Sequence, residues 1–227
     1  MPDPDQGLST MHRRQFTQAL AGLGGLVATG SAMPLGAQTP RAAPAFREGT
    51  HYRRLRQPAP VDAPARRIEV LEFFAYTCIH CYNFVPVFIA WKRTVPADVV
   101  VRHVPVGFAP EFEPLQRLFY TLEAMGHLDS HHERVFHAIH RAPRQRLHDA
   151  EAIAQWAASA GLDRARFTQT YNSFAVVGRV RRATQLQDAY QVEGTPALGI
   201  AGRFYIPGQA ERTLQVANML IERVRRG

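Results

Sequence analysis

The chain has 227 residues, 46% of them apolar and 20% charged, enough for one sizeable domain with its own core. Its formal net charge of +8 comes from 27 basic residues, of which only Lys92 is a lysine. They are scattered apart from pairs such as Arg181-Arg182 and Arg225-Arg226, and no basic stripe interleaved with aromatics argues for nucleic-acid binding.

In chain order, the first element reads as an address. Met11-His12-Arg13-Arg14-Gln15-Phe16 supplies a positive start, residues 19–37 an uncharged stretch rich in Ala, Gly and Leu, and Leu35-Gly36-Ala37 a small-residue exit. Residues 1–37 are expected to be an export signal peptide, with Met11 as the alternative start. The paired arginines and the Gly-rich apolar stretch lean toward twin-Arg export, Sec being the alternative. Gly22, Gly24, Gly25, Gly30 and Pro34 dilute the stretch too far for a membrane span. Removing it takes away Asp3, Asp5, Arg13 and Arg14, so the net charge stays +8. Export to the periplasm would place the protein where disulfides persist.

Residues 38–66, rich in Pro, Ala and Arg, read as a lead-in with one short strand around 50–55. The run 67–76 is the strongest strand candidate. A helix is expected from Cys78 to about Thr94, kinked at Pro86, then a second strand at 98–106. Apolar residues at helical spacing follow: Leu115, Leu118, Phe119 and Leu122; Val135, Phe136 and Ile139; Ile153, Trp156, Ala157 and Ala160. Gly126 and Gly161 stand where helix stops belong. A longer helix is expected from Phe174 to Gln191, with Val176, Val177, Val180, Ala183 and Leu186 inward. The end reads as a hairpin, 197–200 and 203–206 around Ala201-Gly202, and a closing helix from Ala210 to Arg225.

The chemistry concentrates in Cys78-Ile79-His80-Cys81, the only two cysteines, set at a strand-to-helix turn. A helix N-terminus offers unpaired N–H groups and the positive end of the macrodipole, so it stabilises a thiolate on the first Cys. Cys78 is the candidate nucleophile and Cys81 the buried resolving thiol. A static disulfide is the bland alternative, but closing so small a loop constrains the unfolded chain little. Two thiolates and His80 do not complete a zinc site; His131, His132 and His137 are expected on a solvated helix face, further ligands being the alternative. His80 is expected to favour the Cys78 thiolate as an imidazolium or hydrogen-bond donor. Glu72 is either a buried carboxylate relaying protons to Cys81 or an outward-facing strand residue. Pro196, in Gly194-Thr195-Pro196-Ala197, either starts an edge strand or forms a cis-Pro loop whose Thr195 backbone pairs with a substrate chain.

Together, Val70-Leu71-Glu72-Phe73-Phe74, Cys78-Ile79-His80-Cys81-Tyr82, Pro86 and Gly194-Thr195-Pro196-Ala197 resemble the DsbA-type exported thiol:disulfide oxidoreductases of the thioredoxin superfamily. The resemblance spans about residues 48–225. It implies an α/β (α+β) thioredoxin fold with an inserted helical domain: 67–107 and 175–227 form the thioredoxin-like part and 108–174 the insertion. It also implies an exposed Cys78, a cis Pro196 and Glu72 beneath the disulfide. No cofactor or metal is implied beyond the redox-active Cys78–Cys81 pair. The implied partners are reduced exported proteins and a quinone-linked, DsbB-like membrane reoxidase, and a monomer is expected. Ile79 and Thr195 depart from the best-known DsbA, which has Pro and Val there, so a disulfide isomerase or reductase on the same fold is the alternative. A metal- or peptide-binding module is a third reading, of a different class.

Overall fold

The computed structural model describes residues 45–141 and 144–227. The expected export signal and the first residues of the lead-in lie outside the described residues. Among the described residues no helix is long and apolar enough to cross a membrane.

The sheet is built on β2 (Ile68–Phe74), whose seven residues are all buried. A strand covered on both faces reads as a near-continuous apolar run, and Ile-Glu-Val-Leu-Glu-Phe-Phe departs from that only at its two glutamates. β3 (Val99–Pro105) lies parallel to it, in register from Ile68 opposite Val99 to Phe74 opposite Pro105. Parallel neighbours need a crossover, which α1 (Ile79–Lys92) supplies. On the other side of β2, β4 (Ala197–Ile200) and β5 (Phe204–Ile206) form an antiparallel hairpin, and β1 (Arg53–Arg54) closes the edge, giving the order β1-β5-β4-β2-β3. The hairpin turn needs two positive φ values, supplied by Ala201 at 51° and Gly202 at 67°. Gly202 is needed for a second reason: a Cβ there would lie 2.4 Å from the Ala59 carbonyl oxygen, where the lead-in packs.

The remaining helices are α2 (Glu113–Ala124), α3 (Leu128–His140), α4 (Ala150–Ser159), α5 (Arg164–Tyr171), α6 (Phe174–Tyr190) and α7 (Glu211–Arg226). Side-chain oxygens of Asp149, Asp163 and Ser173 cap α4, α5 and α6 by accepting backbone N–H bonds. Gly126 and Gly161 end α2 and α4 at φ 75° and 93°, with the closing bonds His127 N–H to Leu122 O and Leu162 N–H to Ala157 O. No apolar period marks α5, which buries only Phe167 and Tyr171.

Two apolar clusters hold these layers together. One joins Leu71, Phe73 and Phe74 of β2 to Leu118, Phe119, Phe136, Phe167 and Val180 of the helices. The other joins Val70 to Phe84, Phe88 and Trp91 of α1 and to Leu214, Leu220 and Ile221 of α7. α1 contributes to both, Cys81 and Val85 to the first and Phe84, Phe88 and Trp91 to the second, so it is clasped from two sides. It runs on through Pro86, which has no N–H to offer the Tyr82 carbonyl.

One expectation is corrected. His131 and His132 are not on a solvated face but buried, at 6% and 7% exposure. They stand one turn before Val135 and Phe136, and i and i+4 share a face, so the core stripe of α3 carries them inward.

Candidate active site

β2 ends at Phe74, and Ala75-Tyr76-Thr77 lead into Cys78, the N-cap of α1. Cys78 is extended (φ −82°, ψ 115°), its N–H donates to Ala75 O at 3.0 Å, and its Sγ accepts the Cys81 N–H at 3.3 Å. One of the N–H groups that a helix start leaves unpaired is thus aimed at the sulfur. Cys78 is half-exposed and Cys81 is fully buried, both as free thiols.

Their acidities diverge. The hydrogen bond from the Cys81 thiol lowers Cys78 most; burial opposes it, while the Thr195 side chain and the N–H groups of Cys81 and His80 add to it, bringing Cys78 down to about 5. Burial pushes Cys81 far above the ordinary thiol range, and its bond to Cys78 adds to the rise. At neutral pH the reduced pair is a Cys78 thiolate beside a Cys81 thiol.

The Thr195–Pro196 loop closes the other side. Its peptide bond is cis, and the Thr195 carbonyl oxygen is 3.4 Å from Cys78 Sγ. The Thr195 N–H has no partner among the described residues. Gly208 lets the next loop lie against this one, for a Cβ there would meet the Pro196 carbonyl oxygen at 2.4 Å.

His80 is exposed, and it acts on Cys78 through its backbone N–H, where the sequence pointed to the imidazole. The imidazole instead lines a groove of about 760 Å³ with Phe84, Val87, Thr195, Pro196 and Tyr205.

Glu72 is buried at 2% exposure, and its partner is not Cys81. Glu72 Oε2 lies 2.5 Å from His103 Nδ1, directly across the β2–β3 register. His132 packs on His103 with ring centroids 4.9 Å apart, and its Nδ1 is 2.9 Å from the Tyr76 hydroxyl. Burial first, then the charges of His103 and Lys92, holds His132 well below its ordinary pKa, so it is neutral. His103 and Tyr76 escape a reading of the sequence, and His132 is read there on the wrong face. The signals for them were the parallel register that faces His103 with Glu72 and the i, i+4 spacing of His132 and Phe136.

Glu72, His103 and His132 each bring one ligand-type atom within 4.8 Å of the others. The 2.5 Å contact between two of them is a hydrogen-bond distance, shorter than the roughly 3.3 Å between ligands on a tetrahedral zinc. Glu72 takes His103 and Tyr76 takes His132, so two hydrogen-bonded pairs lie side by side with the histidine rings packed together.

Residues 69–217 match the family model of the DSBA-like thioredoxin domain. The chain belongs to the DSBA-like thioredoxin family. The thiol:disulfide interchange protein DsbA of Bordetella pertussis is 45% identical over 195 residues, covering 86% of this chain and 87% of that protein. Its counterpart from Pseudomonas aeruginosa is 38% identical over 184 residues, 79% of this chain and 86% of that one. The crystal structure of Pseudomonas aeruginosa DsbA superposes with a TM-score of 0.75 at 38% identity, over 79% of this chain and 95% of that chain. DsbA from Xylella fastidiosa does so with 0.75 at 29% identity, over 82% and 100%. The fold is therefore the thioredoxin-like fold of DsbA proteins, and the chain is a thiol:disulfide oxidoreductase. DSBA-like proteins work through a redox-active disulfide and exchange it with protein substrates.

Proposed function

We propose that this DSBA-like chain is a periplasmic dithiol oxidase that passes the Cys78–Cys81 disulfide to reduced exported proteins. The observation that carries the reading is the asymmetry of the pair: Cys78 half-exposed, low in pKa and against Thr195, Cys81 buried and high in pKa. A substrate thiolate attacks Cys78 Sγ, the Cys78–Cys81 bond breaks, and Cys81 leaves and takes a proton. The substrate's second thiolate then attacks its own bridged sulfur and expels Cys78. One substrate disulfide is formed, and the enzyme is left as thiolate and thiol. The low pKa of Cys78 makes it the better leaving group in that last step.

The other site residues take supporting roles. His80 steadies the thiolate through its N–H, and the Thr195 N–H before Pro196, without a partner among the described residues, receives the substrate as an added strand. Glu72, a buried carboxylate held by His103, is our candidate for taking the Cys81 proton without touching Cys81 directly. The sheet with α1 and α7 supports a division into a thioredoxin-like part, 67–107 and 175–227, and a helical insertion, 108–174, since every strand from β2 to β5 lies outside the insertion. The export-type N-terminus and the family's periplasmic setting support the location. The reduced pair must be reoxidised, which calls for a quinone-linked, DsbB-like membrane partner, and the chain works as a monomer. Thr195 and Ile79 beside the sulfurs favour an isomerase or reductase as the second reading.

The test is product and intermediate analysis by mass spectrometry. Oxidised protein converts a reduced two-cysteine peptide to its disulfide, and Cys78→Ser does not. Cys81→Ser, loaded with glutathione at Cys78, holds a one-cysteine peptide as a mixed disulfide on Cys78. Equal capture on Cys81 in Cys78→Ser would contradict the assignment.

A further inference from the structure

We propose that Glu193 and Glu211 make the groove beside Cys78 select cysteine segments flanked by Lys or Arg. The inference rests on the dithiol-oxidase reading and adds a substrate class to it. The groove of about 760 Å³ starts at His80 and the Thr195–Pro196 loop, and its walls are mostly apolar, with Phe84, Val87, Tyr205 and Pro207 among them. Two carboxylates interrupt them: Glu193, two residues before Thr195, and Glu211, in the first turn of α7. Among the described residues no arginine or lysine lines the groove, although the chain carries 27 of them.

These carboxylates are unlike many others on the chain. Arginines take up Asp62, Asp98, Glu113, Glu123, Glu151 and Glu222. Glu193 and Glu211 are exposed and have no ion-pair partner among the described residues. Arg53, whose guanidinium stacks on the Tyr205 ring at 4.3 Å, is held by the Tyr190 and Gln191 carbonyls and does not line the groove. The Glu193 charge acts on the groove wall, adding to burial in raising the Tyr205 phenol. Neither glutamate is among the largest influences on the acidity of Cys78.

A substrate strand paired with the Thr195 backbone advances about 3.3 Å per residue, with alternate side chains on one face. Side chains a few positions from the attacked cysteine therefore reach past the apolar floor to the carboxylates. A basic residue there gains one or two ion pairs, and an acidic one meets like charge. The remainder of the surface is net positive and repels a cationic peptide, so the groove is a local exception that orients it.

The experiment compares three reduced two-cysteine peptides, identical except for Arg, Gln or Glu flanking the cysteines, by kcat/KM for disulfide formation with the oxidised protein at low and high salt. The Arg peptide is expected to exceed the Glu peptide by about threefold to tenfold, the size of one or two solvent-exposed ion pairs. Salt should slow the Arg peptide as the local attraction is screened. In Glu193→Gln/Glu211→Gln the ratio should fall toward one. Equal rates for the three peptides, a rate for the Arg peptide that rises with salt, or an undiminished ratio in the double variant would overturn the selection while leaving the oxidase reading intact. No oxidation of any peptide would overturn the oxidase reading and the selection with it.

Discussion

The reactivity of Cys78 follows from what surrounds one sulfur atom. The N–H of Cys81, the Cys81 thiol and the Thr195 side chain all converge on it, and each prefers an anion. Thiolate absorbance of the reduced protein should therefore show a transition centred at about 5, absent in Cys78→Ser. The sign for stability follows. The folded pKa lies below the roughly 8.5 of an unfolded thiol, so the stabilisation is full above that value and is lost as pH falls through about 5. Only the reduced form carries it, so the reduced form should gain stability over the oxidised form between those limits. A gap that does not change with pH, measured by denaturant unfolding of both forms, would contradict the assignment. Cys78 and Cys81 were legible because their spacing and setting state their chemistry. Glu72 was legible as an anomaly, but its partner was not: His103 faces it only through the pairing of two strands 31 residues apart.

At the scale of elements, the strand-helix-strand unit, the helical block and the final hairpin and helix were readable from the alternation of apolar runs, glycines and prolines. What was not readable has physical causes. α5 has too few apolar residues to show a period, and it is fixed by Asp163 at its start and by the burial of Phe167 and Tyr171. The inward turn of His131 and His132 depends on α3 burying four consecutive-turn positions, although histidine is usually read as a surface residue. The element that shapes the site most narrowly is the contact of the Gly208 loop with the cis-Pro loop. Gly208→Ala places a Cβ 2.4 Å from the Pro196 carbonyl oxygen, so one loop must move. It should cost about 1–3 kcal/mol in thermal or denaturant unfolding and slow peptide oxidation. Unchanged stability and rate would show that the loops are not in contact in solution.

For the whole molecule, the joint between sheet and helices is a polar one set in an aromatic shell. Glu72 of β2, His103 of β3 and His132 of α3 meet beside Tyr76, with Phe74, Phe88 and Phe119 around them. His132, which Tyr76, Glu72, His103 and Lys92 face, keeps a pKa well below 6.5 in the fold, so the unfolded chain takes up a proton first as pH falls. Stability of the oxidised protein should decline below about pH 6.5, and His132→Gln, which keeps an acceptor for Tyr76, should flatten that decline. Parallel acid limbs for the two proteins in denaturant titrations would remove His132 from the account. The contacts of Cys78 with Cys81, Thr195 and the start of α1 stabilise the reduced pair and so make Cys78–Cys81 an oxidant. The most direct test is the redox equilibrium of that pair in glutathione buffers. The expected potential lies well above the about −270 mV of thioredoxin, toward the about −120 mV of a strongly oxidising DsbA. A value close to that of thioredoxin would contradict it and make the chain a reductant.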